Sequence, residues 1–414
     1  MNNIKYFSSR LFFYLAPLLS YQLYNYNGIP HVINRLCGFG FTTLLLIAVG
    51  LNPVVRASSQ KTDKILKCIL VSILISYVMA FVFWWQSPIS SYLGSINYLN
   101  LVFFYFYLKK YDIKQHEIIT LFFIYSALYI FLTLYGWSVA PNKVFGYVDV
   151  YDEDTLNMDR GLARLFLPGS TLLVSTLFYS LSKILMGAKK LIWGGITVVL
   201  FLFCCSDLIR FKIMSVVLAA MYFVLKTNKM SFKLLLYFIL LILSVSYVII
   251  ICFPDVVEGL VLLTQYQFES AGGQDDGFTR YYEYLFFFTE FNNNPITYIL
   301  GNGTPRDGEF VRYLFAVKDK GYYNDDVSYS TIFIALGVVG LIQYFRLLYR
   351  GATLKMKPKM TFLTAIIIYI AIANITIDPL LDGVAFSIIL YLIENNKMTL
   401  YSNENTLYHR EIKS

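Results

Sequence analysis

Apolar residues in this chain run on in unbroken blocks of about twenty, of which Leu234 to Phe253 is the plainest. A block of that length matches the hydrocarbon thickness of a bilayer, and it leaves no polar face with which a helix or strand in water would meet solvent. Such blocks lie near 11–24, 36–55, 65–85, 92–108, 118–137, 168–186, 191–206, 213–225, 234–253, 328–349, 361–377 and 384–393. Only 14% of the 414 residues are charged and 57% are hydrophobic, against roughly 25% charged in an ordinary soluble domain. Soluble enzymes, fibrous proteins and disordered chains are excluded on this ground. A transmembrane β-barrel would alternate over about ten residues rather than run on. The expectation is an all-α, polytopic helical bundle of about twelve transmembrane helices, a single integral membrane domain over 1–414. The short pair 191–206 and 213–225 reads either as two full helices or as a re-entrant hairpin. The first block, with Lys5 and Arg10 before it, has the outline of a signal peptide, but no small-residue cleavage site follows it.

The net charge of +8 is the sum of two opposed populations. With the N-terminus inside, alternate loops carry Arg56, Lys61, Lys64 and Lys67; Lys109, Lys110 and Lys114; Lys183, Lys189 and Lys190; Lys226, Lys229 and Lys233; and Arg346, Arg350, Lys355, Lys357 and Lys359. Including the termini, that side holds 23 basic and 6 acidic residues and the other 11 basic and 20 acidic. This follows the positive-inside rule and places both termini, including a tail over 394–414, in the cytoplasm, with Gln274 and Asp152 outside. The basic residues are topology signals and imply no nucleic-acid partner. Cys37, Cys68, Cys204, Cys205 and Cys252 lie in or beside apolar blocks without CxxC spacing, so they read as packing residues.

Two outward loops are long, 138–167 and the 74-residue loop 254–327, and a connection of that length points to function. In the larger one, Thr279 to Phe291 has helical periodicity, with an apolar face of Tyr281, Tyr282, Leu285 and Phe286 and with Arg280 and Glu283 three apart, which predicts a helix on the membrane surface. Asn292-Asn-Asn-Pro295 reads as a helix stop and Gly301-Asn-Gly-Thr-Pro305 as a tight turn. Asp326 or Ser328 is placed to cap the helix that follows.

The outward arginines Arg160, Arg164, Arg210, Arg280, Arg306 and Arg312 present planar forks suited to a lipid-linked phosphate or diphosphate, with Lys212 beside Arg210. Each reads equally as an interface anchor or a carboxylate's partner, and Asp207 stands one turn from Arg210. Asp326, at the start of an apolar block, reads as a general base or as a helix cap, with Glu283 as its rival. Asn374 and Asp378 either join the same cavity or cap. Asp152-Glu-Asp154 has DxD spacing but sits in an acidic loop, and Asp275-Asp276 follow a glycine turn. The three histidines, His31, His116 and His409, fall outside both long loops, so no histidine metal centre or catalytic triad is expected and no metal is assigned. Asn302-Gly-Thr304 is formally a glycosylation sequon.

Three elements together resemble the O-antigen polymerase and ligase superfamily, the Wzy-like and WaaL-like bacterial membrane glycosyltransferases. They are Arg164-Leu-Phe-Leu-Pro-Gly169; Arg280-Tyr-Tyr-Glu283 followed by Asn294-Pro-Ile296 and Ile299-Leu-Gly-Asn-Gly303; and Asp326-Val-Ser-Tyr329 running into Leu336-Gly-Val-Val-Gly340. A polar element from Ser206 to Lys212 stands between the first two in the order of the family. The resemblance covers about residues 160–390 and implies a GT-C-like bundle in the bacterial inner membrane whose large periplasmic loop contains short helices. It implies an undecaprenyl-diphosphate-linked glycan as donor and no cofactor. Asp326, Glu283 and Arg280 would be catalytic, and Arg164, Arg210, Lys212, Arg160 and Arg312 would hold the lipid diphosphate or glycan. Membrane lipid, a chain-length regulator and a flippase are the implied partners. Ligases of this kind usually carry His-Asn where this chain has Asp326-Val327, which favours a polymerase. The alternatives are a ligase acting on lipid A core or protein, and a flippase or other transporter. A carrier would bury ionisable residues in mid-span, and stretches 118–137, 234–253 and 328–345 contain none.

Overall fold

A computed structural model describes residues 2–23, 31–50, 60–140, 167–206, 209–227, 279–292, 294–377 and 379–397. All regular structure in them is helical: α1 (Asn2–Ser20), α2 (His31–Gly50), α3 (Lys61–Trp84), α4 (Pro88–Gly94), α5 (Ile96–Lys110), α6 (Gln115–Val139), α7 (Ser170–Leu185), α8 (Lys190–Cys205), α9 (Arg210–Thr227), α10 (Thr279–Thr289), α11 (Pro295–Leu300), α12 (Gly308–Lys318), α13 (Ser328–Thr353), α14 (Phe362–Ala373) and α15 (Gly383–Asn396). Eleven of the twelve apolar blocks coincide with a helix; the twelfth, 234–253, lies outside the described residues. Among the described residues three helices, α3, α6 and α13, are long and apolar enough to cross a membrane, and several shorter apolar helices accompany them. The pair 191–206 and 213–225 forms two separate helices of 16 and 18 residues, α8 and α9.

Helix α5 is the centre of the bundle. Every residue from Tyr98 to Leu108 is buried, which is the behaviour of a helix apolar on all sides, and it packs against α15 and α2. The outer helices turn large apolar side chains away from the protein, among them Leu44 and Ile47 on α2, Val71, Leu74 and Val78 on α3, and Ile124, Phe131 and Leu134 on α6. A surface of that composition fits hydrocarbon rather than water.

A group of ion pairs lies at one end. Glu394 accepts from Arg350 through Nη2 at 2.8 Å and Nε at 2.9 Å, and also binds Lys397 and Thr62. Asp63 binds Lys109 and, at 2.9 Å, the Tyr105 hydroxyl. Arg10 reaches Glu117 at 2.8 Å and the carbonyls of Tyr111 and Asp112. The helix ends that the charge pattern assigns to a single side thus meet one another. The loop elements α10, α11 and α12 cover the opposite end, where they build a second, smaller core from Phe287, Phe291, Phe310, Val317, Val327 and Ile334.

Helix α13 is broken. Gly337 has φ 65° and ψ −172° inside it, so Ser328 to Leu336 and Val338 to Thr353 are two helical segments joined at one residue. The break frees the carbonyls of Ile334 and Ala335, which accept instead from the backbone N–H groups of Asn302 at 2.8 Å and Gly303 at 3.0 Å. The tight turn read at 301–305 is therefore spliced into the bundle. Gly301 and Gly303 supply its positive φ angles of 86° and 77°. A Cβ on Gly301 would lie 2.3 Å from the Ala335 carbonyl oxygen, and one on Gly337 2.3 Å from that of Ile299.

Candidate functional site

The site is built on α10 and the turn before α13. Along α10 the buried positions are Glu283 and Phe287, with Phe291 two residues past the helix end, a spacing of four that makes one inward stripe. Phe288 stacks on Phe333 at 4.6 Å and Phe286 on Tyr322 at 4.5 Å, and the Tyr284 hydroxyl donates to the Ile375 carbonyl at 2.7 Å. Burial pushes the Tyr284 hydroxyl up to about 12, so it stays a donor. The opposite face carries Arg280, Tyr281, Tyr282 and Leu285, all exposed. The inward stripe is the part that apolar patterning did not anticipate, because it puts a carboxylate among phenylalanines.

Glu283 is 1% exposed. Its Oε1 accepts from the Tyr323 backbone N–H at 3.1 Å, while Oε2 is buried with no hydrogen-bond partner. Burial raises the carboxyl from 4.5 to about 6; the Tyr323 N–H draws it down, the Asp326 charge raises it further and the Arg280 charge lowers it. The charges of Asp326 and Arg280 thus both act on the Glu283 carboxyl. Asp326 ends a short 3-10 turn, Asn324–Asp326, and is exposed.

Neither Asp326 nor Ser328 caps α13. Val327 holds the N-cap position and no side chain caps the helix. The intervening 3-10 turn displaces the start of the helix, so the Asp326 side chain is not at N-cap, and the Ser328 hydroxyl is buried without a partner. Asp382 does cap α15, accepting from Ala385 N–H at 3.0 Å, and Asn374 Oδ1 closes the turn after α14 by accepting from Leu380 N–H at 3.2 Å.

The other proposed ligands are described only in part. Arg312 is exposed on α12 and Lys212 is buried in the first turn of α9. Arg210 begins α9. Arg160 and Arg164 lie outside the described residues, as do Asp207, Asp378, Asp152 to Asp154, Asp275, Asp276 and Cys252. Among the described residues no group of three or more His, Cys, Asp or Glu side chains is placed to hold a metal ion.

Two polar residues that support the site carry no signal in the sequence. Gln86, fully buried after α3, donates to the Thr304 carbonyl at 2.9 Å and accepts from Arg306 N–H at 2.9 Å. Trp84 donates to Asn302 Oδ1 at 2.9 Å and stacks on Phe310 at 4.5 Å. Asn302 also bonds Asn292 and is 2% exposed, so its amide is not open to glycosylation in this fold. In comparisons with known proteins, no family model and no curated sequence matches this chain.

Proposed function

We propose that this chain is a membrane-embedded glycosyltransferase of the Wzy-like kind, which joins undecaprenyl-diphosphate-linked oligosaccharide repeat units into polysaccharide at the periplasmic face of the bacterial inner membrane. The observation that carries the reading is Glu283: a buried carboxyl near pH 6 in proton affinity, one oxygen held by a backbone N–H and the other unengaged, beside Asp326 and Arg280. A general base for a sugar hydroxyl works best with a proton affinity near the working pH.

On this reading the acceptor hydroxyl oxygen forms a bond to the anomeric carbon of the donor while its proton passes to Glu283 Oε2. The bond from that carbon to the diphosphate breaks, and its electron pair leaves on undecaprenyl diphosphate. The exposed Arg280 meets the diphosphate as its charge develops, and Asp326 keeps the neighbouring carboxyl basic. The 254–327 loop has no histidine, which favours repeat-by-repeat polymerisation over ligation.

The test is a deletion strain complemented with variants at equal protein level. Glu283→Gln should reduce polymer by about 10²–10⁴-fold and leave single-repeat product. Arg280→Lys should be nearly as damaged as Arg280→Ala, because lysine lacks the fork. A full ladder of chain lengths in Glu283→Gln removes the base assignment, and if Asp326→Asn alone abolishes the ladder, the base is Asp326. Loss of all glycan from the final acceptor, rather than a single remaining repeat, identifies a ligase.

A further inference from the structure

Between the start of α6 and the second half of α7 the surface opens into a hollow of about 780 Å³, lined by Lys114, Gln115, His116, Ile119, Thr120 and Tyr179. It lies at the end of the bundle that holds the ion pairs, beside the turn whose carbonyls accept from Arg10. Gln115 donates to Met360 Sδ at 3.0 Å. Tyr179 packs edge-on against Phe123, Trp193 and Phe362 at 5.9, 5.9 and 5.5 Å, so that its wall is fixed by a group of aromatic rings.

The charge of the hollow is one-sided. Lys114 and His116 line it, and Lys183 holds its ammonium 5.0 Å from the centre of the Tyr179 ring. Of the two nearby carboxylates, Glu117 is held by Arg10 at 2.8 Å and Asp112 binds Lys114 from outside the lining. With no carboxylate among the lining residues, the hollow offers little to a cation. An anion with several oxygens suits it, because ammonium, imidazole, amide and hydroxyl groups can all donate to one.

The outer face of α6 says what carries that anion. His116, Thr120 and Ile124 follow one another at a spacing of four, all exposed, and Phe131 and Leu134 continue the exposed face farther along the helix. Polar groups at the hollow thus give way within one turn to side chains that fit hydrocarbon. A soluble anion would meet only the first part of this gradient. A phospholipid, with its phosphate at one end and acyl chains at the other, matches all of it.

We infer that the hollow between α6 and α7 binds the phosphate headgroup of an anionic phospholipid from the leaflet on the side that the basic loops mark. Lys114 and His116 meet the phosphate, and the acyl chains lie along Ile124 and Phe131. None of this depends on glycosyl transfer at the other end of the bundle.

The experiment titrates the full chain in detergent micelles with phosphatidylglycerol, phosphatidylcholine or glycerol phosphate, and counts the molecules retained by native mass spectrometry. The unaltered protein should hold phosphatidylglycerol about fivefold or more tightly than phosphatidylcholine, and excess glycerol phosphate should not displace it. Lys114→Gln and His116→Ala are each expected to weaken phosphatidylglycerol about three- to fivefold, and Thr120→Trp, which fills the hollow, about tenfold or more. All three side chains are exposed, so thermal midpoints without lipid should not change. Should Lys114→Gln lower its midpoint by releasing Asp112, the other two variants decide. Lys64→Gln removes an exposed lysine beside Asp63 at the same end but outside the hollow, and should bind as the unaltered protein does. The lipid site is overturned if both lipids bind alike or if the hollow variants bind normally. It is overturned too if Lys64→Gln weakens binding as much as Lys114→Gln, which would mean diffuse attraction to the basic loops. Displacement by glycerol phosphate would make the ligand a soluble phosphate instead.

Discussion

Glu283 and Tyr323, forty residues apart in the chain, are joined by a hydrogen bond of 3.1 Å from the Tyr323 N–H to the carboxylate. That contact ties α10 to the turn presenting Asp326 and engages only one carboxylate oxygen. The other is buried without a hydrogen-bond partner, in a setting of phenylalanines that favours the protonated acid.

The same burial has a consequence for stability. A carboxyl raised in the fold from 4.5 to about 6 contributes most below pH 4.5, and that contribution is lost as pH rises through 6. The loss at neutral pH is about 2 kcal/mol. Glu283→Gln keeps an oxygen for Tyr323 and cannot ionise. At pH 8 its thermal midpoint should exceed that of the unaltered protein, and near pH 4 the difference should vanish. A destabilised variant at pH 8 would mean that the charged form is the one the fold favours.

The interlocked glycines give a steric prediction. Gly301→Ala and Gly337→Ala each put a Cβ 2.3 Å from a carbonyl oxygen at a positive φ, which alone costs about 1–3 kcal/mol. Both should lose folded protein, read as monodisperse yield after solubilisation. Gly40→Ala, whose Cβ would meet nothing within 4 Å on α2, should be neutral or about 0.5–1 kcal/mol stabilising.

At the far end, Arg350 and Glu394 make a buried pair through two nitrogens. Arg350→Met should cost about 3 kcal/mol or more by stranding part of a buried carboxylate, whereas Arg350→Met with Glu394→Met should cost less than the two single changes added. A double-mutant cycle on thermal unfolding measures the difference. Simple additivity would mean the pair is not coupled.

Topology is open to chemical labelling. In a chain without its own cysteines, Lys357→Cys should resist an impermeant thiol reagent in intact cells and Glu309→Cys, on the exposed side of α12, should react. Labelling at 357 in intact cells, or protection at 309 in intact cells that is lifted by permeabilisation, contradicts the two-sided arrangement that the basic loops imply.

Helix placement was legible because a span depends on composition and length, which single residues record. So was the turn at 301–305, since Gly301-Asn-Gly303 has few other conformations to adopt. The break at Gly337 was not, because Leu336-Gly-Val-Val-Gly340 reads equally well as a helix with small packing residues. Its conformation is imposed by the turn thirty residues earlier, which claims the carbonyls of Ile334 and Ala335. The inward face of α10 was hidden for a similar reason: polarity assigns Glu283 to water, and only its partner Tyr323 and the packing of Phe287 and Phe291 reverse that. Gln86 is one amide at the end of an apolar run, and nothing local marks it as the link to Thr304 and Arg306.

The splice between the 301–303 turn and α13 also bears on ancestry. Lipid-facing side chains such as Leu44 or Phe131 can be exchanged for any other of similar hydropathy, so descent erases them quickly. Two glycines 36 positions apart, Gly301 and Gly337, admit no such exchange, because each occupies space that the backbone around the other needs. Homologues that have drifted past overall resemblance should still carry that pair, with a third glycine two residues after the first. An alignment anchored on this spacing, rather than on the apolar blocks, is the one that should gather them.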